Sequence, residues 1–106
     1  MPEKRVSERV FKRLEVQFRT IVENTAITSN LSESGLFIRT KRGIPMGSIL
    51  DIKLNLPGLK EIHLTGKVVR SMKTVAGLLG ESKSGMGVHL IDPPADYTDY
   101  VQSLIS

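Results

Sequence analysis

The chain has 106 residues, 40% hydrophobic and 25% charged, which suits one soluble globular domain and excludes both a two-domain protein and a disordered one. It has no cysteine, so disulfides, thiolate metal sites and thiol catalysis are excluded. Net charge is +4, and no apolar run approaches the roughly 18 residues of a membrane span.

The first thirteen residues hold Lys4, Arg5, Arg9, Lys12 and Arg13 against Glu3 and Glu8, a local excess that favours an anionic partner. The start Met-Pro-Glu-Lys-Arg has no apolar signal region, so the expected location is the cytoplasm. Val6, Val10 and Leu14 lie four apart, so a short helix competes with an extended basic arm over 1–13. In a helix Arg5 and Arg9 share one face; in an extended arm they flank a ligand like two jaws. A guanidinium grips phosphate oxygens with a planar fork of donors and stacks on flat bases. Taken alone, the pair reads as solvated charge on a frayed end.

From residue 14 the dominant period is two. Leu14, Val16, Phe18, Thr20 and Val22 alternate as one half-buried strand, and 26–31 and 36–40 read as two more, separated by a turn at 32–35. Gly43, Pro45 and Gly47 punctuate a connection before Leu50, Ile52, Leu54 and Leu56. Pro57-Gly58 marks a turn into the strand of Ile62, Leu64, Gly66 and Val68. Residues 74–85 read as a loop, followed by a last strand through Met86, Val88 and Leu90. Asp92 is expected to cap a helix whose first turn holds Pro93 or Pro94, with Tyr97, Tyr100, Val101, Leu104 and Ile105 on its apolar face. The expected fold is all-β: a six-stranded antiparallel barrel with a C-terminal helix over 14–106, preceded by a flexible basic arm.

Few residues here suit chemistry. Asn30, Ser32 and Gly35 sit where a strand gives way to a turn, where such residues ordinarily bond local backbone. Alternatively, the amide and hydroxyl face a base edge or a phosphate. His63 and His89 fall on solvent-facing strand positions and make no metal site. Asp92, Asp96 and Asp99 are explained by capping and a solvated helix face, and Gly85-Met86-Gly87 matches no phosphate loop. Three Phe, two Tyr and no Trp leave few platforms for single-stranded nucleic acid, which disfavours that partner.

Taken together, the two clusters resemble the signature of the PilZ domain family: RxxxR in an N-terminal arm, then [DN]xSxxG on a barrel loop. Arg5 and Arg9 satisfy the first pattern; Asn30, Ser32 and Gly35 satisfy the second. Leu36-Phe37-Ile38, Thr65-Gly66-Lys67-Val68-Val69-Arg70 and Gly85-Met86-Gly87-Val88 resemble the strands that come after the loop, so the likeness runs from about residue 4 to 105. It implies a barrel that binds cyclic di-GMP, is not an enzyme and needs no cofactor or metal. It also implies that Arg5 and Arg9 grip phosphate and stack on guanine, Asn30 and Ser32 touch the ligand, and Gly35 shapes the loop. With no other domain in the chain, the expected output is an interaction in trans with a protein partner after the arm closes. A nucleotide-independent adaptor of the same fold is the alternative. Arg9 and Arg13 form a competing RxxxR register, and one nucleotide or a stacked pair remains open.

Overall fold

The computed structural model describes residues 9–19, 23–40, 44–72 and 84–105. Along the chain run β1 (Val10–Phe11), β2 (Glu15–Arg19), β3 (Glu23–Ser32), β4 (Gly35–Arg39), β5 (Ile49–Leu56), β6 (Lys60–Met72), β7 (Gly85–Leu90) and α1 (Ala95–Ile105). Six strands pair in the order β3-β2-β5-β6-β7-β4, every pairing antiparallel, and β4 returns to β3 to close the barrel. Closure leaves these six without an open edge. β1 is a seventh, two-residue strand that pairs with the end of β3 beyond the reach of β2, with Val10 opposite Leu31 and Phe11 opposite Asn30.

The period of two makes the core. Val16 and Phe18 on β2, Leu50, Ile52 and Leu54 on β5, and Ile62 and Leu64 on β6 point inward and are buried. Each such side chain contributes roughly 1.5–3 kcal/mol by leaving water. The helix lays Tyr97 and Val101 on the same core, with Tyr100, Leu104 and Ile105 partly buried beside them. No helix among the described residues is long and apolar enough to cross a membrane.

The structure differs from the sequence reading at several points. Residues 10–11 are strand, not the helix that the spacing of Val6, Val10 and Leu14 allowed. The arm and barrel are therefore stitched together at residues 12–14. Thr28, fully buried, accepts from Leu14 N–H at 2.9 Å and donates to the Lys12 carbonyl at 2.8 Å, while its own N–H reaches Leu14 O. The helix also starts later than expected. Pro94 O accepts from Tyr97 and Thr98 N–H, so Pro94 opens the first turn, and Asp92 sits two residues earlier at φ 49°. At the β5–β6 hairpin Gly58 takes φ 83°, as its turn position demands, and Leu59 follows at 64°. Residues 20–22, 41–43 and 73–83, with the strand end, Gly43 and most of the loop assigned to them, lie outside the described residues.

Two interruptions of the alternation decide which side chains reach the outer wall. In β3 the register shifts between Thr28 and Asn30 against β4; in β6 it shifts between Val68 and Arg70 against β7. Strict alternation from buried Thr28 would turn Asn30 inward and Leu31 outward. The extra residue, Ser29, reverses this, and Leu31 is fully buried. In the same way Val69 is the extra residue that keeps Arg70 on the outside after buried Val68.

Candidate ligand-binding groove

The two bulges face one groove. Arg9, Asn30, Ser34, Gly35, Phe37, Arg70 and His89 are among the residues that line an open hollow of about 340 Å³ on the outer wall. Its floor is short-chained: Gly87 on β7 lies opposite Arg70 on one side and Phe37 on the other. A side chain at Gly85 would collide with the Phe37 ring, so glycine there lets the ring lie flat on β7.

Arg9 meets Asn30 directly, Nη1 donating to Oδ1 at 2.5 Å across 21 residues of sequence. A guanidinium has no acceptor, so this contact orients the amide: oxygen toward Arg9, the two Nδ2 donors free to turn elsewhere. The remaining guanidinium donors, Arg70 and the amide together make a wall of hydrogen-bond donors, two of them cationic. Such a wall suits phosphate oxygens and the acceptor edge of a purine.

Beneath the groove, the turn is held from inside the barrel. Ser32 is buried, and its hydroxyl donates to Gly35 O at 3.3 Å. Tyr97 reaches up from α1 and donates to Ser32 O at 2.6 Å, with Gly35 O at 3.1 Å. Burial pushes the Tyr97 phenol well above the ordinary tyrosine value of 10.0; the nearby Arg9 charge acts the other way and loses. Tyr97 therefore remains a neutral donor. Gly35 is required by a close approach of backbones, since a Cβ there would stand 2.5 Å from Val88 O.

The sequence-predicted residues thus divide. Arg9, Asn30 and Gly35 come together at the groove, whereas Ser32 faces inward and holds the turn, the ordinary role of a turn serine. Arg5 lies outside the described residues. Arg13, the partner in the competing register, lines a different hollow with Phe11 and Arg39. His63 and His89 are both solvent-facing, as expected, although Glu61 stands 4.0 Å from His63, a carboxylate neighbour that sequence reading did not assign. Among the described residues no three His, Asp or Glu side chains gather as metal ligands. Sequence reasoning missed Phe37, which the alternation of β4 turns outward, and Arg70, which the β6 bulge brings to this face.

The fold is a closed six-stranded barrel with one C-terminal helix, and comparison supplies the family. The chain belongs to the PilZ domain family, whose model matches residues 3–106. Among solved structures, the Bacillus subtilis inhibitor of motility (MotI/DgrA) superposes with a TM-score of 0.79 at 19% identity, over 97% of this chain and 50% of that one. The PilZ domain of Escherichia coli YcgR, solved with cyclic di-GMP, gives 0.75 at 13% identity over 97% and 92%. MrkH of K. pneumonia, also solved with cyclic di-GMP, gives 0.73 at 16% identity over 97% and 51%. The chain therefore spans about half the length of MotI and MrkH and nearly all of the YcgR domain. No curated protein sequence matches it.

Proposed function

We propose that the chain is a receptor for cyclic di-GMP, without enzymatic activity, and that the groove between Arg9, Asn30 and the β6 residue Arg70 is its nucleotide site. One observation carries the reading: the two halves of the motif, 21 residues apart, meet at the Arg9–Asn30 contact on the groove's edge. Membership of the PilZ family and the cyclic di-GMP found in the YcgR and MrkH structures support it. Arg9, with Arg5 four residues before it, takes the phosphates and stacks on guanine. The Asn30 amide gives its free donors to a base or a phosphate, and Arg70 adds a cation from β6. Ser32 and Gly35 serve the site through the turn. With β1 already paired beside Asn30, closure of the arm that carries Arg5 over the nucleotide then offers a changed surface to a protein partner. A cytoplasmic location accords with this ligand.

Calorimetric titration of the chain with cyclic di-GMP tests the proposal. Binding at tens of micromolar or tighter, roughly −6 kcal/mol or better, is expected. Arg9→Ala and Arg5→Ala should each weaken it more than tenfold with the melting temperature unchanged, and Arg13→Ala should leave it intact. No binding in that range would overturn the reading. Loss with Arg13→Ala alone would move the site to the other register, and the fitted stoichiometry separates one nucleotide from a stacked pair.

A further inference from the structure

A second surface shares no residue with the groove and does not depend on the nucleotide reading. Phe11 on β1 is 85% exposed and Ile27 on β3 is 42% exposed, so each presents apolar surface to solvent. Between them stand Arg13 and Arg39, which together border two adjoining hollows of about 420 and 500 Å³. Lys12 lines the first of these, beside Phe11. Register explains the grouping: Arg39 pairs with Ile27 across β3–β4, and Phe11 pairs with Asn30 one step past the β3 bulge. Among the described residues none of Lys12, Arg13 and Arg39 makes an ion pair. The one acid at the margin, Glu15, is turned toward Asn55 on β5, whose amide it accepts at 3.4 Å.

We infer that this face docks an acidic segment of a partner protein, one carrying an aliphatic or aromatic side chain between its carboxylates. Three unpaired cations call for negative charge, and two arginine forks call for carboxylates in particular. The apolar pair calls for a side chain that enters a hollow and covers Phe11 and Ile27. A bilayer surface is too flat to fill two separate hollows. A nucleic-acid strand would satisfy the cations but leave Ile27 uncovered, because an aliphatic group gives bases no stacking plane. Aromatic and arginine side chains clustered in a concave patch are also the composition of interface anchors.

The test uses the whole chain as bait for a random dodecapeptide phage library, beside an Arg13→Glu/Arg39→Glu variant and a Phe11→Ser variant. The expected result is enrichment of acidic clones with an internal apolar residue. A synthetic peptide of the consensus should bind at least tenfold more weakly to the charge-reversed variant and severalfold more weakly to Phe11→Ser. All three side chains are exposed, so both variants should melt where the parent does; Arg39→Gln replaces the double variant if it does not. Phosphatidylserine vesicles and a single-stranded oligonucleotide serve as parallel probes. An absence of acidic consensus overturns the inference, as does peptide affinity indifferent to charge reversal. Charge-dependent binding to vesicles or oligonucleotide without peptide binding gives the face to that occupant instead, and overturns it as well.

Discussion

The β5–β6 wall and the β3–β4–β7 seam are built from the same residue types to opposite ends. Along the wall, eight consecutive pairs from Ile49–Lys67 to Leu56–Lys60 hold one register, and every buried position among them is apolar or glycine. Along the seam the register slips once in β3 and once in late β6, and the groove residues Asn30 and Arg70 come directly after the two slips. A bulge kinks the strand, increases local twist and re-aims the side chain beyond it. The wall is thus regular packing throughout. The seam is where regular packing gives way to a binding surface.

Three substitutions sharpen or break this contrast. The largest effect is expected in the wall: Leu54→Ala, at a fully buried β5 position, should cost about 2–5 kcal/mol in chemical denaturation. Nucleotide affinity of the folded fraction should not change. A large loss of affinity would mean that wall and seam are not separable. Next, Thr28→Val keeps the shape but leaves Leu14 N–H and the Lys12 carbonyl unpaired inside, at a cost of about 1–3 kcal/mol. Because Thr28 ties down the residues just after Arg9, this variant should also bind nucleotide more weakly, the reverse of the pattern for Leu54→Ala.

The smallest effect belongs to Tyr97→Phe, about 1 kcal/mol for the loss of the bond to Ser32 O. It also has a distinctive pH signature. Burial raises the Tyr97 phenol above 10.0, so above that pH the unfolded chain loses this proton first. The stability contributed by the group is whole below pH 10 and declines as pH rises beyond it. Equilibrium unfolding measured across that range should show a shallower alkaline decline in Tyr97→Phe than in the parent. Equal slopes would mean that the phenol is not buried as described.

The same contrast explains how much could be read before the structure. Leu50 to Leu56 and Ile62 to Val68 alternate without fault, so the wall was plain from the residues alone, and the helix followed from the spacing of Tyr97, Tyr100, Val101 and Leu104. Thr-Ser-Asn-Leu at 28–31 and Val-Val-Arg at 68–70 carry no glycine or proline to announce a break. A period-two reading there points the wrong side chains inward. That is why Asn30 was found through a motif, while Arg70 went unnoticed. Ser32 was legible as a turn residue, but the bond that its carbonyl accepts from Tyr97, 65 positions away, is invisible to any local pattern.

The Arg9–Asn30 bond has a consequence for affinity. An arginine left free in solvent has to be immobilised when a ligand arrives, at about 0.5–1.5 kcal/mol for a long side chain. Here the bond to Asn30 engages one guanidinium nitrogen in advance and leaves the rest of the fork available, which lowers that cost. Asn30 is then a mould as much as a contact: even where it never touched a nucleotide, it would set how quickly and how tightly Arg9 receives one. Removing the amide should slow capture, a kinetic defect of a kind that losing a direct ligand bond, felt mainly in release, would not produce.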